Sequence, residues 1–371
     1  MTTTAWNPPR TQPWVIRETV CFNSLTHSFE RRDLEIAGRW ITGIVPPGTS
    51  RQRIGFNGSM LVCTPGVIDV DCGGRDAGGA RSVSLARCIT TTGIPSRSPR
   101  ATHRWSDTGE TAQSDVLGIA ICKPALPTAV SRPVFPVVAC QDLLSASSLL
   151  EFVSLSHVAG TRFGIRIAST PEGAGAFRER FCRSEINLLA YLQLLRESVT
   201  LFALSRLARS DRAALAAAMC SVAVAMTPNA SFNAIWREYG PQLQHGKLAL
   251  SGLSGTSSGA DEVRLSPKLL LPSGLDDSPA PVLNRIVDAI TVSAAAALKV
   301  YDTGTLRPGM KADICLFRDE TGSAITTGSR GFLTMIASRD PDSVLIEGSF
   351  ARHADRRAAS NSDVYSLPQA G

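Results

Sequence analysis

Between Thr64 and about Val300 the chain repeats one pattern, a short apolar run followed by a stretch of helical periodicity, and this repeat limits the folds open to it. PVVAC precedes LLSASSLLEFVSL, and FGIRIAS precedes PEGAGAFRERF. Parallel strands cannot be joined by a tight turn, so strand-then-helix repetition implies a parallel sheet with helical crossovers. The flanks read differently. From Trp14 to Val62, WVIRETVCF, DLEIAG, WITGIV and SMLVCTPG are separated by Gly, Pro, Ser and Asn, which predicts strands joined by turns. After Lys299 strands return in KADICLF and VLIEG.

Two helices follow from spacing. Leu283, Ile286, Val287, Ile290, Ala294, Ala297 and Leu298 form one apolar stripe, which predicts a continuous helix over 283–299. The run DRAALAAAMCSVAVAM predicts a helix over 211–226, with a Val-rich end that also suits the next strand.

The simplest packing joins the two β-rich ends beside the βα core. The expected fold is α/β: a (β/α)8 TIM-type barrel over 64–304, complete or short of a unit, with a composite β-sandwich from 14–63 and 305–353. A flexible tail, 354–371, follows. About 240 barrel positions lie close to the ~250 typical of the eight-fold form. With 371 residues, 43% of them hydrophobic, the chain can bury such a core, and disorder is excluded as its dominant state.

The net charge of +6 permits weak attraction to an acidic surface, but no dense Lys/Arg run carries interleaved aromatics, so no nucleic-acid partner is expected. Nine Cys are scattered without a CxxC pair, which favours reduced core thiols and the cytosol as the location. The N-terminal segment lacks the basic-then-apolar order of an export signal, and no apolar run is long enough to span a membrane.

PGVID (65–69) and GTLRPGMKADICLF (304–317), in this order around a βα core, resemble the amidohydrolase superfamily, in which PGxIDxHxH opens the barrel and GxLxxGxxADxxxx begins the return to the β-sandwich. Within that superfamily the chain resembles the dihydroorotases. Their HxHxREPG corresponds to Asp71-Cys72-Gly73-Gly74-Arg75-Asp76-Ala77-Gly78, in which both His are gone. Thr90–Pro99 is similar to TTxxxMPNTxP, with Ser96 in place of the substrate-contacting Asn. Val138–Asp142 is similar to VHxED, with Ala139 in the His position. Arg162–Thr170 is similar to RLHICHVST, with Gly164 and Ile167 replacing the two His. Leu207–Leu215 resembles LRSxxDRxAL, and AMTPNA falls where the family has ATDHAP, so Thr227 stands at the catalytic Asp.

The resemblance implies zinc chemistry in which the metal acidifies a bound water and an Asp takes the proton. Such a zinc needs about three donor side chains. Gly73, Ala139 and Ile167 offer none, Asp71 is a lone carboxylate, and Lys123, near the family's carbamylated Lys, is cationic unless modified. The expectation is therefore a protein without zinc or another cofactor and with no catalytic residues, its degenerate positions being Asp71, Gly73, Lys123, Ala139, Ile167 and Thr227. Cys72, Cys122 and Cys140 adjoin these positions, but neighbours along a strand face opposite ways, so Cys72 and Cys140 are read as core thiols. His27, His103, His157, His245 and His353 have no ligand spacing and are read as surface or internally satisfied histidines.

Arg75 matches the residue that in the family pairs with a substrate carboxylate. With Ser96 it implies a vestigial substrate site, and the alternative for Arg75 is a salt bridge to Asp69, Asp71 or Asp76. Lys123 is expected to pair with Asp71 in the vacated metal position. The family implies a structural or activating role beside aspartate carbamoyltransferase in pyrimidine synthesis, within a mixed oligomer. Two alternatives stay open: an active cyclic amidohydrolase that uses Asp71, Lys123 and thiols, and a metal-free protein that binds a small anion through Arg75.

Overall fold

The computed structural model describes residues 12–70, 85–88, 103–106, 117–120, 137–139, 163–167, 171–204, 207–225, 232–251, 254–256, 263–265, 279–319, 328–338 and 341–350. The strands begin with β1 (Trp14–Asn23), β2 (Ser28–Ala37), β3 (Trp40–Val45), β4 (Gly55–Asn57) and β5 (Leu61–Pro65). The middle supplies β6 (Val67–Asp69), β7 (Leu85–Cys88), β8 (His103–Ser106), β9 (Leu117–Ala120), β10 (Val137–Ala139) and β11 (Phe163–Arg166). β12 (Val199–Leu204), β13 (Ser221–Ala225), β14 (Leu248–Ser251), β15 (Ser254–Thr256) and β16 (Val263–Leu265) follow, and β17 (Ile314–Arg318), β18 (Ser343–Ile346) and β19 (Ser349–Phe350) lie near the other end. The helices are α1 (Pro171–Phe181), α2 (Glu185–Tyr191), α3 (Arg209–Ala216), α4 (Phe232–Gln244), α5 (Ala280–Ile290), α6 (Val292–Ala297) and α7 (Gly328–Ser338).

Strands from the two flanks share one eight-stranded sheet, ordered β19-β18-β17-β5-β1-β2-β3 with β4 beside β1. Its internal joint is β17 against β5, antiparallel from Ile314 opposite Pro65 to Arg318 opposite Leu61. In β1 the register slips between Ile16 and Thr19, and Glu18 takes a φ of 58°. Asp33 takes up the Glu18 amide at the slip, and two amides of the loop after β3 besides. Its carboxylate accepts from the amides of Glu18 at 2.8 Å, Gly48 at 3.0 Å and Ser50 at 3.2 Å.

The middle of the chain forms a parallel sheet in sequential order, β10-β11-β12-β13-β14. Helices fill its crossovers: α1 and α2 before β12, α3 before β13, α4 before β14. Two further parallel pairs, β6 with β7 and β8 with β9, come earlier. One face of the sheet presents Ile165, Val199, Leu201, Val222, Val224, Leu248 and Leu250 to an apolar layer shared with Phe177 of α1, Leu189 of α2, Leu215 of α3, Tyr239 of α4 and Ile286 of α5. The other face carries Phe202, Ala223 and Ala249, clustered with Ile68, Val70 and Ala294, Ala295, Ala297 and Leu298.

The predicted helix over 283–299 is two helices. Thr291, at φ −130° and ψ −96°, separates α5 from α6, and its hydroxyl donates to the Val287 carbonyl at 2.6 Å. A threonine hydroxyl that bonds the carbonyl four residues back competes with the helical ladder. The predicted helix over 211–226 ends at Ala216, and its Val-rich end is β13. There Val222 and Val224 enter the helix-covered layer while Ala223 faces the other way, so two-residue alternation outweighs the helix propensity of alanine.

Helix α7, between β17 and β18, was not expected from the pattern. It buries Phe332, Leu333, Met335 and Ile336, and the Phe332 ring lies 4.8 Å from that of Phe22 in β1. Gly328 opens α7 at φ +54°, and a Cβ there would lie 2.8 Å from the His27 carbonyl oxygen. Glycine alone meets both conditions without strain. Among the described residues no helix is long and apolar enough to cross a membrane.

Candidate functional site

In folds built on parallel strands with helical crossovers, ligands meet the C-terminal strand ends, because the connecting loops there are free to carry function. In the central sheet this edge includes Ala139 at the end of β10 and Arg166 at the end of β11. Ala139 is in register with Arg166, and Arg166 with Phe202 of β12.

Asp71, Gly73, Arg75, Ser96, Lys123 and Thr227 lie outside the described residues, as do Cys72, Cys122 and Cys140. The expected pairing of Lys123 with Asp71 and the two readings of Arg75 therefore lie outside them too. The described part of β6 ends at Asp69 and Val70, and Val70 is fully buried with Ile68 and Phe202.

Ile167 directly follows β11, and its amide donates to the Phe202 carbonyl at 3.0 Å. Its side chain is buried in the helix-covered layer that also holds Ile165. There it clusters with other apolar side chains. Neither an isoleucine side chain nor the methyl group of an alanine carries a lone pair for a metal ion. Among the described residues no cluster of three or more His, Cys, Asp and Glu is placed to hold a metal.

Arg166 also lies at this edge, between the two positions that align with histidines in RLHICHVST. Ile165 packs into the helix-covered layer, so strand alternation turns Arg166 toward the opposite face, where its register neighbour Phe202 packs. The residue is half-buried, and both Nε and Nη2 are shielded from solvent. A signal was present in FGIRIAS: a charge inside an otherwise apolar parallel strand is costly to bury and calls for a specific reason.

Several other buried ionisable groups have structural work. Asp211 accepts from the Ser184 hydroxyl, from Asn187 Nδ2 at 2.6 Å and from the Ala208 amide at 3.3 Å, tying the start of α2 to that of α3. Asp288 in α5 accepts from or pairs with His27 Nε2 at 2.9 Å and Arg285 Nη1 at 3.4 Å. This joins the β1–β2 turn to the helical layer and fits the reading of His27 as satisfied. Lys299 is buried with its Nζ 3.2 Å from Ser221 Oγ, at the N-terminal end of β13, the edge away from Arg166. Beside it, burial pushes the Cys220 thiol up from 9.0 to about 11, although the Lys299 charge pulls it partly back. Cys21 is also raised, first by its hydrogen bond with Cys63 and then by burial. Cys63 and Cys315 are buried as well, while Cys182 is exposed.

No protein-family model and no curated protein sequence matches the chain. Solved structures do. A zinc-bound adenosine deaminase from Xanthomonas campestris superposes with a TM-score of 0.64 at 11% identity, covering 92% of this chain and 93% of that one. The zinc complex of an atrazine chlorohydrolase from Arthrobacter aurescens TC1 gives 0.57 at 13% identity over 91% and 94%. An amidohydrolase from a Sargasso Sea environmental sample gives 0.56 at 11% identity over 92% and 93%. The chain shares the overall fold of these structures. At these identities the likeness concerns fold alone, since one fold hosts many chemistries and function belongs to the site.

Proposed function

We propose that this chain is a dihydroorotase-like protein of the amidohydrolase fold that no longer performs metal hydrolysis and acts in the cytosol as a structural or regulatory partner of aspartate carbamoyltransferase. The reading includes a (β/α)8 barrel over 64–304, complete or short of a unit, a β-sandwich from 14–63 and 305–353, and a mixed oligomer. The observation that carries it is the pair of aligned ligand positions at the sheet edge: Ala139 ends β10 with a methyl group, and Ile167 is buried in an apolar layer. Neither can replace a histidine, because a divalent ion gives up its hydration shell only to side chains that return lone pairs. The order of the degenerate motifs from Asp71 to Thr227 supports the dihydroorotase assignment.

The test mixes the purified chain with aspartate carbamoyltransferase. A joint peak in size exclusion and an altered transcarbamoylase rate are expected; separate elution with an unchanged rate contradicts the partnership. A second reading, an active cyclic amidohydrolase with an atypical site, is favoured by the solved structures, whose names include a chlorohydrolase and a deaminase. It requires metal donors from the segments around Asp71 and Lys123 and predicts turnover of dihydroorotate or N-carbamoyl aspartate.

A further inference from the structure

We propose that the exposed face of α1, α2 and α3 is a docking surface for a protein that presents an acidic patch, with Arg183, Arg209 and Arg212 as its charged contacts and Tyr191 as its aromatic anchor. The inference goes beyond the proposed function, because it concerns the outside of the helical layer and does not depend on the loss of a metal. Three observations carry it. Over 174–204 and 207–216 the exposed charges are uneven: Arg178, Arg180, Arg183, Arg209 and Arg212 stand against Glu179 and Glu197. The other acids of the stretch, Glu185 and Asp211, are buried, and none of these arginines has an ion-pair partner among the described residues. Second, α2 and α3 are tied at the ends that carry three of the charges. Asn187 Nδ2 donates to Ser210 Oγ at 3.2 Å and to Asp211 Oδ1 at 2.6 Å. Arg183 precedes the Ser184 that caps α2, and Arg209 and Arg212 flank Ser210 and Asp211, so the three side chains leave from one joint. Third, the Arg183 guanidinium carbon lies 4.6 Å from the centroid of the Tyr191 ring, and Tyr191 is 68% exposed, an aromatic that the fold itself leaves uncovered.

Like charges gathered at one joint repel one another, and the arrival of opposite charge relieves that repulsion. A single exposed ion pair contributes little, but several together steer an acidic surface toward the joint and fix its orientation. Tyrosine and arginine are the side chains that most often anchor protein interfaces. Stacking on Tyr191 restricts the Arg183 guanidinium before a partner comes, which lowers the ordering cost of contact and leaves the charge for a carboxylate. A joint of two short helices with Glu179 and Glu197 nearby in sequence suits a compact acidic protein surface better than a phosphate backbone, which calls for a continuous basic stripe.

A fluorescently labelled deca-glutamate peptide, titrated with the purified chain at about 0.15 M salt and read by anisotropy, tests this. The double variant Arg183→Ala/Arg212→Ala is compared with Arg51→Ala/Arg53→Ala, which removes the same charge from exposed positions ahead of β4, and with Tyr191→Ala; circular dichroism checks each fold. The expected result is binding weakened about tenfold or more in the first double variant, less than about twofold in the second, and about threefold or more in Tyr191→Ala, which keeps the wild-type charge. Equal losses in the two double variants, unchanged binding in Tyr191→Ala, or no binding by the wild type overturns the docking surface. Tighter binding of a labelled oligodeoxythymidine of the same length, lost in the first double variant and kept in the second, overturns the protein partner in favour of a nucleic acid.

Discussion

In the sheet built from both flanks, buried carboxylates are consumed by the backbone around them. Asp33 takes the amides of Glu18, Gly48 and Ser50, and Asp313 takes the Thr303 hydroxyl at 2.6 Å and the Glu347 amide at 2.9 Å. The central parallel sheet is arranged differently. Its second face, lined by Phe202, Ala223 and Ala249 and packed with α6, is also the face of Arg166 at its C-terminal edge. The contrast separates two uses of charge: carboxylates that fix chain geometry through several donors in one sheet, and a half-buried arginine at a strand end in the other.

The largest expected effect lies in the first region. Asp33→Ala removes the acceptor of three backbone amides and should lower unfolding free energy by about 3–5 kcal/mol in urea denaturation, since partly buried donors left unpaired carry their desolvation cost. A loss under about 1 kcal/mol would break the comparison. Next comes a pH effect at the base of the second region. The folded chain holds the Cys220 proton up to about 11, whereas an unfolded chain releases it near 9.0. Stability from this group is thus complete below pH 9 and is lost as pH climbs toward 11, by at most about 3 kcal/mol. Thermal melts of Cys220→Ala across this window should fall less steeply than those of the wild type.

A smaller effect is expected where the regions meet. His27→Ala takes the imidazole from Asp288 and should cost about 1–2 kcal/mol, and a double cycle with Asp288→Asn should show coupling between the two. The smallest belongs to the sheet edge: Arg166→Met, at a half-buried strand end, should cost about 1 kcal/mol or less in urea denaturation. Equal costs for Asp33→Ala and Arg166→Met would erase the distinction between the two uses.

The strands near both ends were readable because alternation and turn residues mark them locally, as in WITGIV, which is β3, and KADICLF, which holds β17. The parallel order of the middle was readable from the strand-then-helix repeat. What escaped depends on single side-chain bonds or on contacts distant in sequence. The break at Thr291 comes from one hydroxyl turning back on the chain inside a continuous apolar stripe. Helix α7 gains its burial against Phe22, some 300 residues away, so its short apolar cluster carried little signal alone. At the site, aligning RFGIRIAST by motif drew attention to Ile167, while alternation set against the packing of Ile165 singles out Arg166. A motif records which residues follow one another, and only the packed sheet reveals which face each one serves.

The account stands or falls on metal. Elemental analysis of the chain purified from zinc-supplemented cells, paired with a dihydroorotate hydrolysis assay at high protein concentration, should find far less than one zinc per chain and no turnover above buffer. One or more zinc ions per chain, removed by chelation together with measurable hydrolysis, would contradict it.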